Sequence, residues 1–177
     1  MKTRQLCYAA LLAALTAVCS QLTIPTPWQV PISMSTFAVF LSGALLGAKW
    51  GTLAQGVYLL LGLVGVPVFS GMRGGAQVLA GPTGGYLIGY LAAAAVTGAL
   101  LARSRARWML PAAMAAGLAA CYAFGTAWYM VQGGVELVPA LGMCVLPFLP
   151  GDALKIAAAS LVAIRIGMLR FAESQTA

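Results

Sequence analysis

The chain has 177 residues, of which 62% are hydrophobic and only 7% are charged. A soluble domain carries about a quarter charged residues, so this composition excludes a water-soluble globular protein and predicts an integral membrane protein. The formal net charge is +7, but the basic residues lie in short hydrophilic gaps between apolar stretches, which indicates membrane topology rather than nucleic-acid binding. At about 20 residues per membrane helix, the chain has room for about six spans and no separate soluble domain. We therefore predict one domain over residues 1–177.

Six apolar stretches follow one another along the chain. They cover approximately residues 6–24, 35–48, 52–66, 84–102, 109–131 and 152–169. The first stretch follows Lys2 and Arg4 as in a signal peptide, but Val18 stands where a lipoprotein cleavage site requires a small residue. We therefore interpret it as an uncleaved first span. The second stretch ends at "GAKWG", which predicts a tight turn carrying Lys49.

Three of the connections are long, irregular and rich in glycine, proline and aromatic residues. They cover residues 24–35, 66–85 and 132–151. Long irregular segments are usually functional or disordered, and irregular backbone at membrane depth is tolerated only where it is buried in protein or lines a cavity. The alternation of six spans brings all three to one side of the membrane, which predicts ordered outer loops over an outward-facing pocket.

The basic residues are distributed unequally between the two sides of the predicted bundle. With the N-terminus in the cytoplasm, eight of them lie at cytoplasmic ends: Lys2, Arg4, Lys49, Arg103, Arg105, Arg107, Arg165 and Arg170. The outer side then carries only Arg73 and Lys155. Cytoplasmic connections are enriched in Lys and Arg, so this distribution predicts that both termini are cytoplasmic.

Asp152 and Lys155 stand at the head of the last predicted span. Three residues apart on a helix, they share a face, and the preceding Pro150 and Gly151 place the acid near the helix N-terminus, where the helix dipole favours it. One interpretation is a local ion pair that offsets its own cost of insertion. The other is a ligand site at the outer mouth of the bundle, because ionisable groups inside a membrane are usually functional.

The glycine-rich segment Phe69–Tyr86 matches neither a Walker A motif nor a dinucleotide fingerprint. It is either an ordinary surface loop or a gate that closes over a ligand, with Arg73 or Gln77 as polar contacts. Aromatic residues accumulate on the predicted outer side: Trp28, Phe69, Tyr86, Tyr90, Tyr122, Trp128 and Phe148. Interfacial anchoring explains several of them, and one or two are candidates to stack on a ligand ring, without the sequence showing which.

The first span carries alanines at four-residue spacing, a pattern that lets helices approach closely in lipid. They are Ala9, Ala10, Ala13, Ala14 and Ala17. Packing inside the bundle and docking onto another membrane protein both explain this pattern. The chain contains no histidine, and its four cysteines match no zinc or redox motif. No nucleophile–base pair and no nucleotide site is visible, so we expect neither an enzyme nor a resident cofactor or metal.

Four motifs together resemble the BioY family, the biotin-binding substrate components of energy-coupling factor (ECF) transporters, over nearly the whole chain. They are "VPISMSTFAVFLSGALLGAKWG" (Val30–Gly51), "LLLGLVGVPVFSG" (Leu59–Gly71), "GPTGGYLIGY" (Gly81–Tyr90) and "PFLPGDALKIAAA" (Pro147–Ala159). The resemblance implies a multi-pass protein of a prokaryotic plasma membrane that takes up biotin. It also implies two kinds of partner, a transmembrane coupling subunit and two ATP-binding cassette ATPases.

The resemblance further implies that Asp152 and Lys155 contact the ligand and that the small residues of the first span dock the coupling subunit. The chain departs from the family at Ser35, where glutamine is common, and at Gly71, where some members have asparagine. Both positions belong to the predicted pocket region. The departures leave open a substrate component for another vitamin, such as thiamine or riboflavin, and a membrane assembly protein without a ligand is the other alternative.

Overall fold

The computed structural model describes residues 2–25, 27, 30–104 and 106–166. Over these residues the chain forms seven α-helices and one two-stranded antiparallel ribbon. The helices are α1 Lys2–Gln21, α2 Ser35–Leu63, α3 Ala76–Ala80, α4 Gly84–Arg103, α5 Met109–Gly133, α6 Leu137–Cys144 and α7 Leu149–Ile166. The ribbon consists of β1 Thr23–Ile24 and β2 Ile32–Ser33 and lies between α1 and α2. Trp28, Arg105, Arg170 and the side chain of Lys2, all part of the sequence predictions, lie outside the described residues.

Four helices of the described chain, α1, α2, α4 and α5, are long and apolar enough to cross a membrane. The helices α6 and α7 meet at an angle of 52° and pass the same test together, which makes a fifth candidate span. The prediction of a helical membrane protein is therefore confirmed.

The second predicted span and most of the third lie within α2, which ends at Leu63 and is interrupted at Gly47 with φ 74° and ψ −179°. The chain reverses direction at this residue of positive φ. The reversal is shown by the hydrogen bond that the Gln55 Nε2 donates to the Ser42 Oγ at 2.9 Å, across thirteen residues of sequence. In a straight helix these residues would be about 20 Å apart. The two halves of α2 therefore lie side by side, and the predicted turn at "GAKWG" is confirmed.

Glycine permits close backbone contacts between the helices of this bundle. A Cβ atom on Gly51 would lie 2.6 Å from the carbonyl oxygen of Ser42 in the other half of α2. A Cβ atom on Gly43 would lie 2.7 Å from the carbonyl oxygen of Ala94 in α4. Small residues drive helix association in lipid because they let backbones approach, so these positions fix how α2 folds back and how α4 packs against it.

The alanines of α1 divide between two environments. Ala9 and Ala13 are each only 2% exposed and belong to the core of the chain. Ala10 and Ala14 are exposed, and Ala17 is half-buried. The expectation that all five face a partner is corrected for Ala9 and Ala13, because helical periodicity directs them inward against α2.

Two of the connections predicted to be irregular contain short helices. The five-residue helix α3 lies in the glycine-rich segment, and α6 lies between α5 and α7. Proline is compatible with the first turn of a helix, where the amide has no intrahelical partner, and Pro139 of α6 and Pro150 of α7 both stand there. The last span consequently begins at Leu149 rather than at Asp152, and Asp152 lies in its first turn.

The packing of the α2 hairpin predicts different outcomes for two glycines of the same helix. We expect Gly51→Ala to lower the free energy of unfolding by about 1–3 kcal/mol, since the neighbouring atoms are backbone and must move. Gly56→Ala is the matched control, because the added Cβ atom would meet only the Leu91 Cδ2, at an ordinary contact distance of 3.9 Å. That variant should be neutral or more stable by up to about 1 kcal/mol through helix propensity. Unfolding in detergent measures both, and equal losses would contradict the hairpin.

Candidate functional site

The ends of the helices and the long connections between them enclose a cavity of about 60 Å³, here called the polar cavity. It is lined by Val30, Pro31, Ser33, Thr36, Phe69, Ser70, Arg73, Val78, Thr83, Tyr86, Leu87, Tyr90, Cys121, Tyr122, Phe148, Asp152 and Lys155. The first two long connections, the end of the third at Phe148, and helices α2, α4, α5 and α7 all contribute. The expectation that these connections cover a common pocket is consistent with this geometry.

The ion pair between Asp152 and Lys155 lies at the wall of the polar cavity. The Lys155 Nζ is 2.8 Å from the Asp152 Oδ1, and the two residues are 6% and 2% exposed. The Lys155 Nζ also donates to the Ser33 carbonyl oxygen at 2.6 Å. This second bond joins α7 to the ribbon strand β2, whose residue Ser33 also lines the cavity.

Two hydroxyl groups hold the Asp152 carboxylate in place. The Thr36 Oγ1 donates to the Asp152 Oδ1 at 3.1 Å, and the Tyr122 hydroxyl donates to the Asp152 Oδ2. A carboxylate removed from water is costly unless its oxygens accept hydrogen bonds. Asp152 is therefore held by side chains from α2 and α5 as well as by its own helix.

The pair retains hydrogen-bonding capacity toward the cavity. An ammonium group has three N–H donors, and two of those of Lys155 have partners among the described residues. Each carboxylate oxygen accepts about two hydrogen bonds, and the Asp152 Oδ2 accepts one from the described part of the chain. One donor of Lys155 and one acceptor position of the Asp152 Oδ2 thus have no partner among the described residues, and both side chains line the cavity. This combination matches a ligand group carrying both an N–H and a C=O.

A second polar chain runs along the same wall. The Ser33 Oγ lies 2.5 Å from the Ser35 Oγ, which is also hydrogen-bonded to the Tyr90 hydroxyl. Ser35 is fully buried behind the cavity and positions Ser33 and Tyr90, which line it. Ser35 therefore reaches the cavity through its neighbours rather than by facing it.

Aromatic rings form the apolar part of the wall. The Phe69 ring meets Tyr58 edge-on with centroids 5.6 Å apart, and Tyr58 stacks on Tyr90 at 6.4 Å. Tyr86 faces the cavity with its hydroxyl 3.4 Å from the Cys144 carbonyl oxygen in α6. Aromatic side chains beside a polar cluster suit a ring ligand with one strongly hydrogen-bonding edge.

The remaining predicted site residues lie outside the polar cavity or at its edge. A wider groove of about 900 Å³, here called the loop groove, is lined by Thr23, Pro25, Pro31, Ser70–Gly74, Gln77, Val78 and Gly81–Thr83. Gly71 and Gln77 line only the loop groove, whereas Arg73 lines both spaces. Trp128 lines neither, and its Nε1 donates to the Gly81 carbonyl oxygen at 3.0 Å, which fastens α5 to the segment before α4.

Sequence reasoning did not select Ser33, Thr36 or Tyr122 as site residues. Tyr122 is noted in the sequence only as one of several outer aromatics, and its contact with Asp152 depends on how α5 packs against α7. Ser33 and Thr36 flank the start of α2 in a chain with few polar residues. Hydroxyl groups grouped at the mouth of a span were the one available signal.

Comparisons with known proteins relate this chain to one family. The profile of the BioY family matches residues 1–170. The chain is 41% identical to "Biotin transporter BioY" of Thermotoga maritima, over 94% of this chain and 97% of that protein. It is 37% identical to the protein of the same name from Rhodobacter capsulatus, over 92% of this chain and 90% of that protein.

A solved structure shares the fold. The crystal structure of the S-component for biotin from an ECF-type ABC transporter superimposes with a TM-score of 0.85 at 31% identity, covering 93% of this chain and 91% of that one. The matches in sequence and in structure both extend over nearly the whole chain. On these grounds the chain belongs to the BioY family.

Proposed function

We propose that this chain binds biotin and is the membrane-embedded substrate component of an ECF-type ABC transporter. The observation that carries the proposal is the buried Asp152–Lys155 pair, which keeps one donor and one acceptor without a partner among the described residues and lines a cavity with several aromatic side chains. The membership in the BioY family and the names of the relatives support the same ligand. The chain acts by binding rather than by catalysis.

Biotin carries a cyclic urea, an apolar fused ring and a tail that ends in a carboxylate. In the proposed pose a urea N–H donates to the Asp152 Oδ2, and the Lys155 Nζ donates to the urea oxygen. The fused ring then lies against the aromatic wall. Buried polar groups without partners are costly, so we expect selectivity to depend mainly on the contacts of Asp152 and Lys155 with the urea group.

The small volume of the polar cavity indicates that a segment beside it moves to admit the ligand. The polar cavity measures about 60 Å³, whereas pockets for ligands of this size enclose roughly 300–1,000 Å³. The loop groove shares Pro31, Ser70, Arg73, Val78 and Thr83 with the cavity, so it marks the direction of entry. In our proposal the glycine-rich segment is the gate, and Arg73 and Gln77 meet the carboxylate at its edge.

The site assignment predicts that both charges are needed for affinity. We expect Asp152→Asn and Lys155→Met each to weaken biotin binding roughly 10- to 100-fold, since each removes a charge-assisted hydrogen bond and leaves the partner charge unpaired. Isothermal titration of the purified protein measures the effect. Lys49→Met is the matched control, because Lys49 is exposed at the α2 turn, and its affinity should equal that of the unaltered chain.

Titration also separates the proposal from its alternatives. Unchanged affinity in both site variants would overturn the site assignment, and the absence of biotin binding by the unaltered chain would overturn the function. Thiamine and riboflavin, the other vitamins considered from Ser35 and Gly71, should not stabilise the protein in a thermal-shift assay. In the structure Ser35 is buried behind the wall and Gly71 lies in the loop groove, so neither residue lines the polar cavity.

We further propose six membrane crossings with both termini in the cytoplasm and the polar cavity facing outward. The crossings are α1, the two halves of α2, α4, α5 and α7, in a prokaryotic plasma membrane. The reversal at Gly47 and the excess of basic residues at the predicted cytoplasmic ends support this topology.

Thiol labelling in intact cells tests the topology. With the exposed Cys7 replaced by serine, we expect a membrane-impermeant reagent to label Gln77→Cys in intact cells. Lys49→Cys should react only after permeabilisation, because the α2 turn then lies on the opposite side. The reverse pattern would invert the orientation, and labelling of both in intact cells would contradict the crossing by the second half of α2.

For the partners we propose a transmembrane coupling subunit, energised by two ATP-binding cassette ATPases, docked on the exposed alanines of α1. Ala10 and Ala14 lie on the open face of this helix with Ala17 at its edge. We expect Ala14→Trp to prevent co-purification with the coupling subunit while leaving biotin affinity unchanged. Ala119→Trp, at an exposed position of α5, is the control. Assembly that survives Ala14→Trp would exclude this docking face.

A further inference from the structure

The last turn of α1 holds the segment that covers one side of the polar cavity. This segment, residues 66–75, is here called the capping segment. The Gln21 Nε2 lies 3.3 Å from the carbonyl oxygen of Phe69 and 3.5 Å from that of Pro67, and its Oε1 accepts from the Met72 amide at 3.0 Å. One side chain thus contacts the capping segment at three backbone positions, each 46 to 51 residues away in sequence.

These contacts fix the part of the capping segment that lines the cavity. Phe69, Ser70 and Arg73 line it, and Phe69 and Arg73 bond to each other through their backbones in both directions. The neighbouring Ser20 also binds this segment, through the Val68 carbonyl oxygen. On the opposite side the Gly75 amide donates to the Gly62 carbonyl oxygen of α2 at 2.7 Å. The segment is therefore held between α1 and α2.

The backbone of the capping segment is unfavourable without such support. Met72 has φ 56°, the one left-handed non-glycine residue in the described chain. This conformation costs free energy for a residue with a Cβ atom, and it persists only where the surroundings hold it. The Gln21 Oε1 accepts from the amide of this same residue, so removing the side chain releases the strained position first.

We propose that Gln21 is a positioning residue that keeps the capping segment closed over the polar cavity and thereby sets the rate at which ligand leaves. It lies outside the lining of the cavity and acts through the backbone of Phe69 and Met72. The inference rests on the proposed binding of biotin for its kinetic part only. Its structural part, that Gln21 holds the capping segment, is independent of any ligand.

Two measurements on the full-length protein in detergent test the two parts. Hydrogen–deuterium exchange of peptides covering residues 67–75 reports closure without ligand, and stopped-flow binding gives the association and dissociation rates of biotin. The variant is Gln21→Met, which keeps the length of the side chain and removes its amide. Gln5→Met is the matched control, since Gln5 belongs to the same helix α1 and lies about 24 Å along it from Gln21, at the end away from the capping segment.

We expect Gln21→Met to accelerate exchange in residues 67–75 about tenfold, the effect of losing one to two hydrogen bonds. Biotin dissociation should accelerate by a similar factor, while its association rate changes little. Gln5→Met should stay within about twofold of the unaltered chain in both measurements. Gln21→Asn, which retains the amide but withdraws it by one methylene, should behave like Gln21→Met, because reach across to the capping segment is the property required.

Unchanged exchange in Gln21→Met would overturn the proposal, and so would an Asn variant that behaves like the unaltered chain. Accelerated exchange with an unchanged dissociation rate would overturn the kinetic part. If the unaltered chain binds no biotin, the proposed function fails, and the exchange measurement still decides whether Gln21 holds the segment. An equal acceleration across all helices in Gln21→Met would show general destabilisation and also contradict a positioning role.

Discussion

The ion pair of Asp152 and Lys155 in an apolar bundle is the constraint on which the rest of the site depends. Two charges removed from water are stable there only with additional hydrogen bonds. Thr36 and Tyr122 supply them to the carboxylate, and the Ser33 carbonyl supplies one to the ammonium group. The partners come from α2, α5 and the ribbon, so satisfying one pair brings four parts of the chain to the same place.

The same need for hydrogen-bond partners explains why the segments that cover the polar cavity are short and irregular. Most carbonyl groups of a regular helix are paired within the helix, whereas the ribbon and the capping segment offer theirs to side chains of the bundle. Three side chains of the bundle each bind a carbonyl oxygen in one of the long connections between helices: Lys155, Gln21 and Trp128. The cover is therefore tied to the bundle by individual side chains. Such attachments are reversible, which is a requirement for a cavity too small for its proposed ligand.

Much of the architecture was predictable from local patterns. Composition identified the membrane class, and the helical spacing of Asp152 and Lys155 identified the buried pair. The glycine-containing turn at "GAKWG" identified the reversal within α2. Each of these follows from interactions within a short stretch of chain, such as helix periodicity, backbone freedom or transfer from water to lipid.

Other features depended on contacts between distant parts of the chain. Thr36 and Tyr122 reach Asp152 across 116 and 30 residues, and no local pattern distinguishes them from other hydroxyl residues. Trp128 is an aromatic residue of the kind that often contacts a ligand. In the structure its Nε1 instead donates a hydrogen bond to the Gly81 carbonyl oxygen, outside the cavity.

The sequence by itself determined a helical membrane protein with an acid and a base on one helix face, because hydrophobic transfer and helix periodicity are local. Only the tertiary structure decided that Ala13 packs inward while Ala14 stays exposed, and that Gln21 holds the capping segment. The physical reason is that burial and hydrogen-bond partners are properties of how helices pack, and packing depends on the whole chain at once.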